Sequence, residues 1–307
     1  MQHDLTPPAG SARRTVTRYE RGRRVEDQDR LAEEVPVALH FDGKPFAVMM
    51  ASPVDLEDFA RGFALTESRV DDVRDIESIE IHEMLEGISI DVRTRAPTDA
   101  SVAAANMAAV ERMAAEAGSM ADTAVAIEAA ADEASSFGAR EMTGRSGCGI
   151  CGTRELEDVI RRPRPVAAGT SVSPDAIERA LEALRAEQPI NAFTGSVHAA
   201  AWARADGSLM VVREDVGRHN ALDKLIGAMT RRGIDPREGF ALITSRASYE
   251  MVTKAAVAGM TVLVAISAPT ALAVSLATEC GLTLVGFARP GRFNVYSRPE
   301  RIYSPPL

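Results

Sequence analysis

The chain has 307 residues, of which 46% are hydrophobic and 26% are charged, so it is a globular protein with room for one large domain or two ordinary ones. Its formal net charge of −9 gives no overall field for binding nucleic acid, so an anionic ligand must be held by local arginines or backbone amides. Residues 1–30 contain no apolar signal-peptide core and three cysteines cannot form a disulfide framework, so we expect a cytoplasmic protein without a membrane anchor.

The N-terminal third predicts a flexible arm followed by a small α+β domain. Residues 1–30 are polar and arginine-rich, which is typical of a solvated arm. Two apolar runs then flank the turn residues Asp42 and Gly43, as in a β-hairpin. Ser52, followed by proline, is typical of a helix N-cap, and that helix is predicted to continue to Glu67. With a second predicted hairpin after it, residues 31–96 form the α+β domain.

The middle of the chain changes composition twice. Residues 97–140 are rich in alanine and methionine, which favours one or two small-residue helices or a loosely ordered insertion. Residues 141–172 hold the pair Cys148 and Cys151 among glycines, which predicts a mobile loop with exposed sulfur atoms.

The remainder, residues 173–307, alternates strand and helix patterns. Such alternation predicts an α/β domain with a mostly parallel sheet covered by helices on both faces. The uncharged stretch 255–278 is long enough to span a membrane, but Gly259 and Pro269 interrupt it. We interpret it as a buried strand followed by a helix.

Polar residues follow the predicted strands of this domain. Ser245 and Arg246 come after one strand, and the turn from Phe287 to Arg292 comes after the last one. Ligands of parallel sheets bind beyond the carboxyl ends of the strands, so these arginines predict a site for a phosphate-bearing anion. A surface turn with two solvated arginines would explain the same residues.

The cysteine pair allows four interpretations. An exposed thiolate can relay a sulfane sulfur from a donor persulfide, and the second cysteine can assist or resolve the transfer. A thioredoxin-like centre normally has Trp and Pro beside its cysteines, and a zinc site needs two further ligands. The pair can also be inert. Chemistry favours the relay and leaves the other three open.

Nucleobase deamination is excluded by the residues around the cysteines and histidines. Zinc deaminases use a P-C-x-x-C segment and an H-x-E motif. Here Gly147 precedes the first cysteine, and neither His198 nor His219 is followed two residues later by glutamate. His219 lies between a predicted strand and helix, where it can cap the helix or contact a ligand. We predict no metal site.

Four sequence segments occur in a characteristic order: the cysteine motif, Glu214–Lys224, Ser245-Arg246 and Gly286–Arg292. With these segments the chain resembles the FdhD family of formate dehydrogenase accessory sulfurtransferases. The resemblance covers about Leu31 to Arg301.

The resemblance implies a function and a fold. Family members accept persulfide sulfur from a cysteine desulfurase and deliver it to the molybdenum cofactor, bis-molybdopterin guanine dinucleotide, for formate dehydrogenase. By this resemblance Cys148 carries the sulfur and Cys151 is its partner. The cofactor, or a GDP-like guanine nucleotide, is expected to contact Phe287, Ala288, Arg289, Pro290, Gly291, Arg292, His219, Ser245 and Arg246. The C-terminal domain is expected to have a cytidine-deaminase-like three-layer fold without zinc, and the protein to be a homodimer. The alternative is a cofactor-binding chaperone whose cysteines form a latch or metal clip.

Overall fold

The computed structural model describes residues 6–95 and 163–303, so the cysteine pair and the alanine-rich segment lie outside the described residues. The strands and helices follow in chain order: β1 Ser11–Glu20, β2 Arg23–Ala32, β3 Val35–Phe41, β4 Lys44–Ala51, α1 Leu56–Thr66, β5 Ile76–Met84, β6 Gly87–Thr94, α2 Pro174–Ala186, α3 Pro189–Thr194, β7 His198–Arg204, β8 Leu209–Asp215, α4 Arg218–Arg231, β9 Gly239–Ile243, α5 Tyr249–Val257, β10 Val262–Ala265, α6 Ala271–Glu279, β11 Thr283–Arg289 and β12 Arg292–Ser297.

Residues 11–32 form a two-stranded antiparallel sheet, where the sequence predicts a flexible arm over residues 1–30. Strands β1 and β2 pair residue for residue from Ser11↔Ala32 to Glu20↔Arg23. The prediction is wrong for these residues because most side chains on both faces of the ribbon are polar and exposed. A ribbon without a buried face has no hydrophobic alternation to identify it.

The small α+β domain consists of a four-stranded sheet, in the order β4-β3-β6-β5, with α1 on one face. Its core includes Leu39, Phe59 and Phe63, and both predicted hairpins are present. The predicted N-cap is wrong. The helix begins at Leu56 after Asp55, whose φ of 53° is left-handed, and Ser52 is instead buried.

The C-terminal domain is a six-stranded sheet in the order β12-β11-β10-β9-β7-β8. Strands β8 to β11 run in one direction and β7 and β12 in the other, so the sheet is mixed. Helix α2 packs on one face and α4, α5 and α6 pack on the opposite face. The predicted α/β class is confirmed, and the sheet, which the sequence predicts to be mostly parallel, is parallel in part, over β9, β10 and β11.

The structure bears on two further sequence predictions, the mobile loop that includes residues 163–172 and the uncharged stretch 255–278. Residues 163–172, predicted as part of a mobile loop, pack on this domain: Val166 N donates to Cys280 O at 2.8 Å, and Val172 is fully buried. The uncharged stretch 255–278 is divided among α5, β10 and α6, as predicted. In the part of the chain that the structure describes, no helix has both the length and the apolarity to cross a membrane.

Helices α1 and α4 join the two domains at very close range. A Cβ atom built on Gly62 would lie 1.8 Å from Asp223 O, and one on Gly227 would lie 1.8 Å from Asp58 O. Only glycine allows the two backbones to approach this closely. The crossing therefore fixes α1, and the sheet behind it, against α4.

Buried charges also link the domains. Lys224 Nζ lies 2.6 Å from Asp215 Oδ2 and donates to Ser52 O at 3.0 Å, while Ser52 N donates to the same carboxylate at 3.0 Å. Burial lowers the pKa of Lys224, although the charge of Asp215 opposes this. Nearby, Lys254 pairs with Asp223 and Glu67, both at 2.9 Å. These buried groups are satisfied by one another across the domain boundary.

Candidate functional site: an anion-binding edge of the large sheet

One edge of the six-stranded sheet collects the polar features that the sequence singles out. The carboxyl ends of β8, β9, β10 and β11 lie at this edge because these strands share one direction. Helices α4, α5 and α6 begin there, since each follows one of these strands. Helix N-termini carry partial positive charge and free N–H groups, which suit an anion.

A histidine–glutamate pair lies where α4 and α5 begin. His219 Nε2 is 2.6 Å from Glu250 Oε2, and Arg218 Nη2 is 3.8 Å from the same oxygen. Burial by itself raises the pKa of Glu250, but the hydrogen bond from His219 and the nearby charges outweigh it, so the pKa is lowered. Glu250 is therefore a carboxylate at neutral pH that accepts a hydrogen bond from His219 and fixes its ring orientation.

The same corner has buried polar atoms without partners. Within residues 6–95 and 163–303, neither Arg218 Nε nor Ser248 Oγ has a hydrogen-bond partner. The N-cap residue of α4 is Gly217, which has no side chain to cap the helix, and Ser248 at the N-cap of α5 makes no capping bond. By contrast, Thr270 caps α6 by accepting from Ala273 N. Buried polar groups are normally satisfied, so these donors fit a ligand that accepts hydrogen bonds. Phosphate oxygens have that chemistry.

His198, the first residue of β7, lies beside this corner. Its Nδ1 is 3.4 Å from Thr244 Oγ1. Burial lowers the pKa of His198, and the charges of Arg218 and His219 lower it further, while Asp215 opposes them. The ring is therefore predominantly neutral at pH 7 and can both donate and accept a hydrogen bond.

Ser245 and Arg246 follow β9 at the same edge. Ser245 is 4% exposed, and its hydroxyl donates to Arg246 O at 3.1 Å, so its side chain is turned toward its own backbone. Arg246 is exposed. Of these two predicted residues, the arginine is the one with a side chain available to a ligand.

The predicted segment Phe287–Arg292 forms the end of β11, a turn at Pro290-Gly291 and the start of β12. Arg289 pairs with Arg292 across the turn, and Arg289 Nη1 donates to Ile266 O beyond β10. Ala288 is buried against the α2 face of the sheet, so it can offer a ligand only its backbone. Phe287 has a left-handed φ of 53° and is 48% exposed.

The predicted site residues thus lie along a row and not in one compact pocket. Four strand spacings separate the end of β8 from the end of β11, which corresponds to about 19 Å at ~4.8 Å per strand. The corner around His219 and Glu250, called the histidine corner below, lies toward the β8 end of this row. The turn with Arg289 and Arg292 lies toward the β11 end. A row of this length suits an elongated ligand with more than one anionic group.

Sequence reasoning missed four residues of the histidine corner: Arg218, Glu250, Ser248 and His198. Glu250 lies in the first turn of α5, where an acidic residue normally complements the helix dipole, so its role as a partner of His219 had no distinct signal. Arg218 could have been found beside His219.

The described residues bring together no group of three or more metal-binding side chains, and the predicted carriers Cys148 and Cys151 lie outside them.

Comparisons with known proteins agree on one family. Residues 32–303 match the model of the FdhD/NarQ family. A "Sulfur carrier protein FdhD" of Xanthomonas campestris pv. campestris (strain B100) is 48% identical over 293 residues, which cover 95% of this chain and 92% of the relative. A protein of the same name from Cupriavidus necator is 44% identical, covering 97% and 92%. The crystal structure of a putative formate dehydrogenase accessory protein from Desulfotalea psychrophila has the same fold, with a TM-score of 0.68 at 24% identity, over 95% of this chain and 99% of that one.

Proposed function

This chain belongs to the FdhD/NarQ family, and from this premise we propose that it is a sulfur carrier for the maturation of formate dehydrogenase. In the proposal it acts as a sulfurtransferase that accepts persulfide sulfur from a cysteine desulfurase. It passes the sulfur to the molybdenum cofactor, bis-molybdopterin guanine dinucleotide, which is bound as a substrate. The names of two independent relatives support the carrier role, and the finer steps rest on the chemistry below.

The observation that carries the acceptor half of the proposal is the group of unpartnered donors at the sheet edge. Arg218 Nε and Ser248 Oγ are buried without hydrogen-bond partners in the described part of the chain, beside the uncapped start of α5. Phosphate groups of a guanine dinucleotide would accept from these donors, and a GDP-like nucleotide would do the same. Arg246 and Arg292, both exposed, would bind further phosphate or base edges along the row.

The donor half runs through the cysteine pair. The Cys148 thiolate attacks the outer sulfur of the desulfurase persulfide, and the desulfurase cysteine leaves as a thiolate. Cys151 then attacks the inner sulfur of the Cys148 persulfide. This forms a Cys148–Cys151 disulfide and releases the outer sulfur as hydrosulfide to the acceptor, and a dithiol reductant restores the two thiols. Each step exchanges one sulfur–sulfur bond for another or releases one sulfide, so atoms and electrons balance.

Chain length permits the two halves to meet. Eleven residues lie between Cys151 and Pro163, where the described domain resumes, so the chain between these two residues can span at most about 40 Å. The adjoining segment runs past Cys280, at the end of α6 opposite to the anion-binding edge. Helix α6, with nine residues, is about 14 Å long. The tether is therefore long enough to reach that edge.

Sulfur loading tests the donor half. The protein is incubated with a cysteine desulfurase and cysteine, and intact mass spectrometry measures the added sulfur. We expect wild type and Cys280→Ala to gain one persulfide sulfur, because Cys280 is 2% exposed, and Cys148→Ala to gain none. Equal loading of Cys148→Ala and wild type would show that the carrier assignment is wrong.

The alternative function, a cofactor-binding chaperone, is separated from this one by a maturation assay. A Cys148→Ala/Cys151→Ala variant should yield inactive formate dehydrogenase if sulfur transfer is required. Active enzyme would favour the chaperone, and a zinc measurement on the purified protein would then test a metal clip. The expected cytoplasmic location and homodimer stay predictions.

A further inference from the structure

His198 is a half-buried, titratable side chain at the anion-binding edge, and the proposed function leaves it without a role. It is the first residue of β7, the strand between β8 and β9 in the sheet. Successive side chains of a strand alternate between its two faces, and Ala200 and Trp202 pack in the core with α4. The ring of His198 therefore lies on the face of the sheet that α4 covers, below the start of that helix.

One ring nitrogen of His198 has a hydrogen-bond partner in the part of the chain that the structure describes. Nδ1 lies 3.4 Å from Thr244 Oγ1, and the same hydroxyl accepts from Ala199 N at 2.9 Å, which holds it in place. With the Thr244 hydroxyl donating to Nδ1, the neutral ring carries its proton on Nε2. Among the described residues Nε2–H then has no acceptor, and it joins the unpartnered donors Arg218 Nε and Ser248 Oγ of this corner.

The charged groups that act on the ring come from α4 and β8. Burial is the largest cause of the lowered pKa of His198, and Arg218 and His219 on α4 lower it further. Asp215 on β8 is paired with His198 across the two strands and opposes them. The Asp215 carboxylate lies 2.6 Å from Lys224 Nζ, so most of its charge is compensated there. Protonation of His198 therefore depends on further negative charge being brought to this corner.

A bound phosphate group would supply that charge. An opposite charge within about 4–6 Å favours the charged form of a titratable group, so an anion raises the pKa of a histidine. Glu250, the acidic residue of α5, lies 2.6 Å from His219 Nε2 and 3.8 Å from Arg218 Nη2, and its charge is balanced by them. A phosphate held by Arg218 and Ser248 would instead add uncompensated negative charge close to His198.

We propose that His198 is a ligand-binding residue of this edge, which donates from Nε2 to a phosphate group and takes up a proton from solvent when the nucleotide binds. The inference rests on the proposed guanine-nucleotide site and adds one residue and a pH dependence to it. The complex then binds more protons than the free protein. By linkage, the affinity for the nucleotide increases as the pH falls from 8 toward the ordinary histidine pKa of about 6.5.

Isothermal titration calorimetry of GDP in buffers with different ionisation enthalpies measures the proton uptake. At pH 7 the full-length wild type should take up more protons on binding than His198→Gln, by a fraction of one proton. The phosphate titration of GDP itself is common to both proteins, so it cancels in the difference. His198→Gln should also weaken GDP binding about fivefold at pH 6.5 and by less at pH 8, because glutamine cannot become charged.

His82→Gln is the matched control. His82 lies on β5 of the small domain with its side chain 52% exposed, and its replacement should leave both the affinity for GDP and the proton uptake as in wild type. Circular dichroism of each variant separates loss of binding from loss of folding.

NMR titration of the histidine rings measures the same effect in the unaltered protein. The resonance of His198, identified by its absence from His198→Gln, should titrate at a higher pH in saturating GDP than without it. Equal proton uptake by wild type and His198→Gln, or a His198 titration that GDP leaves unchanged, would overturn this inference and leave the nucleotide site standing. Failure of the wild type to bind GDP would overturn the proposed nucleotide site as well.

Discussion

Helix α4 contributes to two polar regions that differ in one respect, the pairing of their charges. Along its side, Lys224 lies between Asp215 and the Ser52 carbonyl, and Asp223 pairs with Lys254. At its start, Arg218 Nε has no hydrogen-bond partner within the described residues. Satisfied buried charges fix one domain on the other, whereas unsatisfied donors at a helix start are available to a ligand. The contrast separates residues expected to affect stability from those expected to affect binding.

The largest effect, on the stability of the fold, is expected from removing one of the paired buried charges along α4. Lys224→Met leaves Asp215 buried without its counter-charge and should lower the free energy of unfolding by about 3–5 kcal/mol. Urea denaturation measures this. The exposed Lys44, replaced in the same way, should change stability by less than about 0.5 kcal/mol. Equal effects of the two substitutions would contradict the distinction between the regions.

An intermediate effect is expected at the start of α4, where the unpartnered donor of Arg218 lies. There we expect ligand binding to change and stability to stay the same. Arg218→Gln should weaken GDP binding about tenfold, which corresponds to ~1.4 kcal/mol, because a charged donor to phosphate is lost. Isothermal titration calorimetry measures it. Arg232→Gln, just after the opposite end of the same helix, is the matched control and should bind GDP like wild type. If both variants bind equally well, the anion site is not at the start of α4.

The smallest effect concerns pH. Burial, with the charges of Arg218 and His219, lowers the pKa of His198 below its ordinary value of 6.5. The unfolded chain then binds a proton more readily than the folded one, so this residue reduces stability as the pH falls below 6.5. Thermal unfolding from pH 7 to pH 5 should show a loss of stability that is smaller in His198→Gln than in wild type. Parallel curves for the two proteins would contradict this.

The sequence predicted those elements whose side chains alternate between core and solvent. Helix α2 begins at Pro174 with Ser173 as its N-cap, as predicted, because Ser-Pro there caps an amphipathic helix. The same dipeptide at Ser52 gave a wrong N-cap prediction. The backbone and hydroxyl of Ser52 instead form hydrogen bonds with Asp215, Lys224 and Val216, which are more than 160 residues away in the sequence. No local pattern can report partners at that distance. For the same reason the predicted anion site contained His219 but not Glu250, its partner on another helix.

The domain crossing also has a consequence for synthesis on the ribosome. Asp58 of α1 accepts hydrogen bonds from Arg213 and Arg231, which are 155 and 173 residues further along the chain. At a translation rate of ~5–20 residues per second, these partners emerge roughly 10 to 30 s after α1. During that interval the face of α1 that packs on α4 in the folded protein, which includes Gly62, is without its partner helix. The crossing of the two domains can therefore form only after the C-terminal half of the chain has been made.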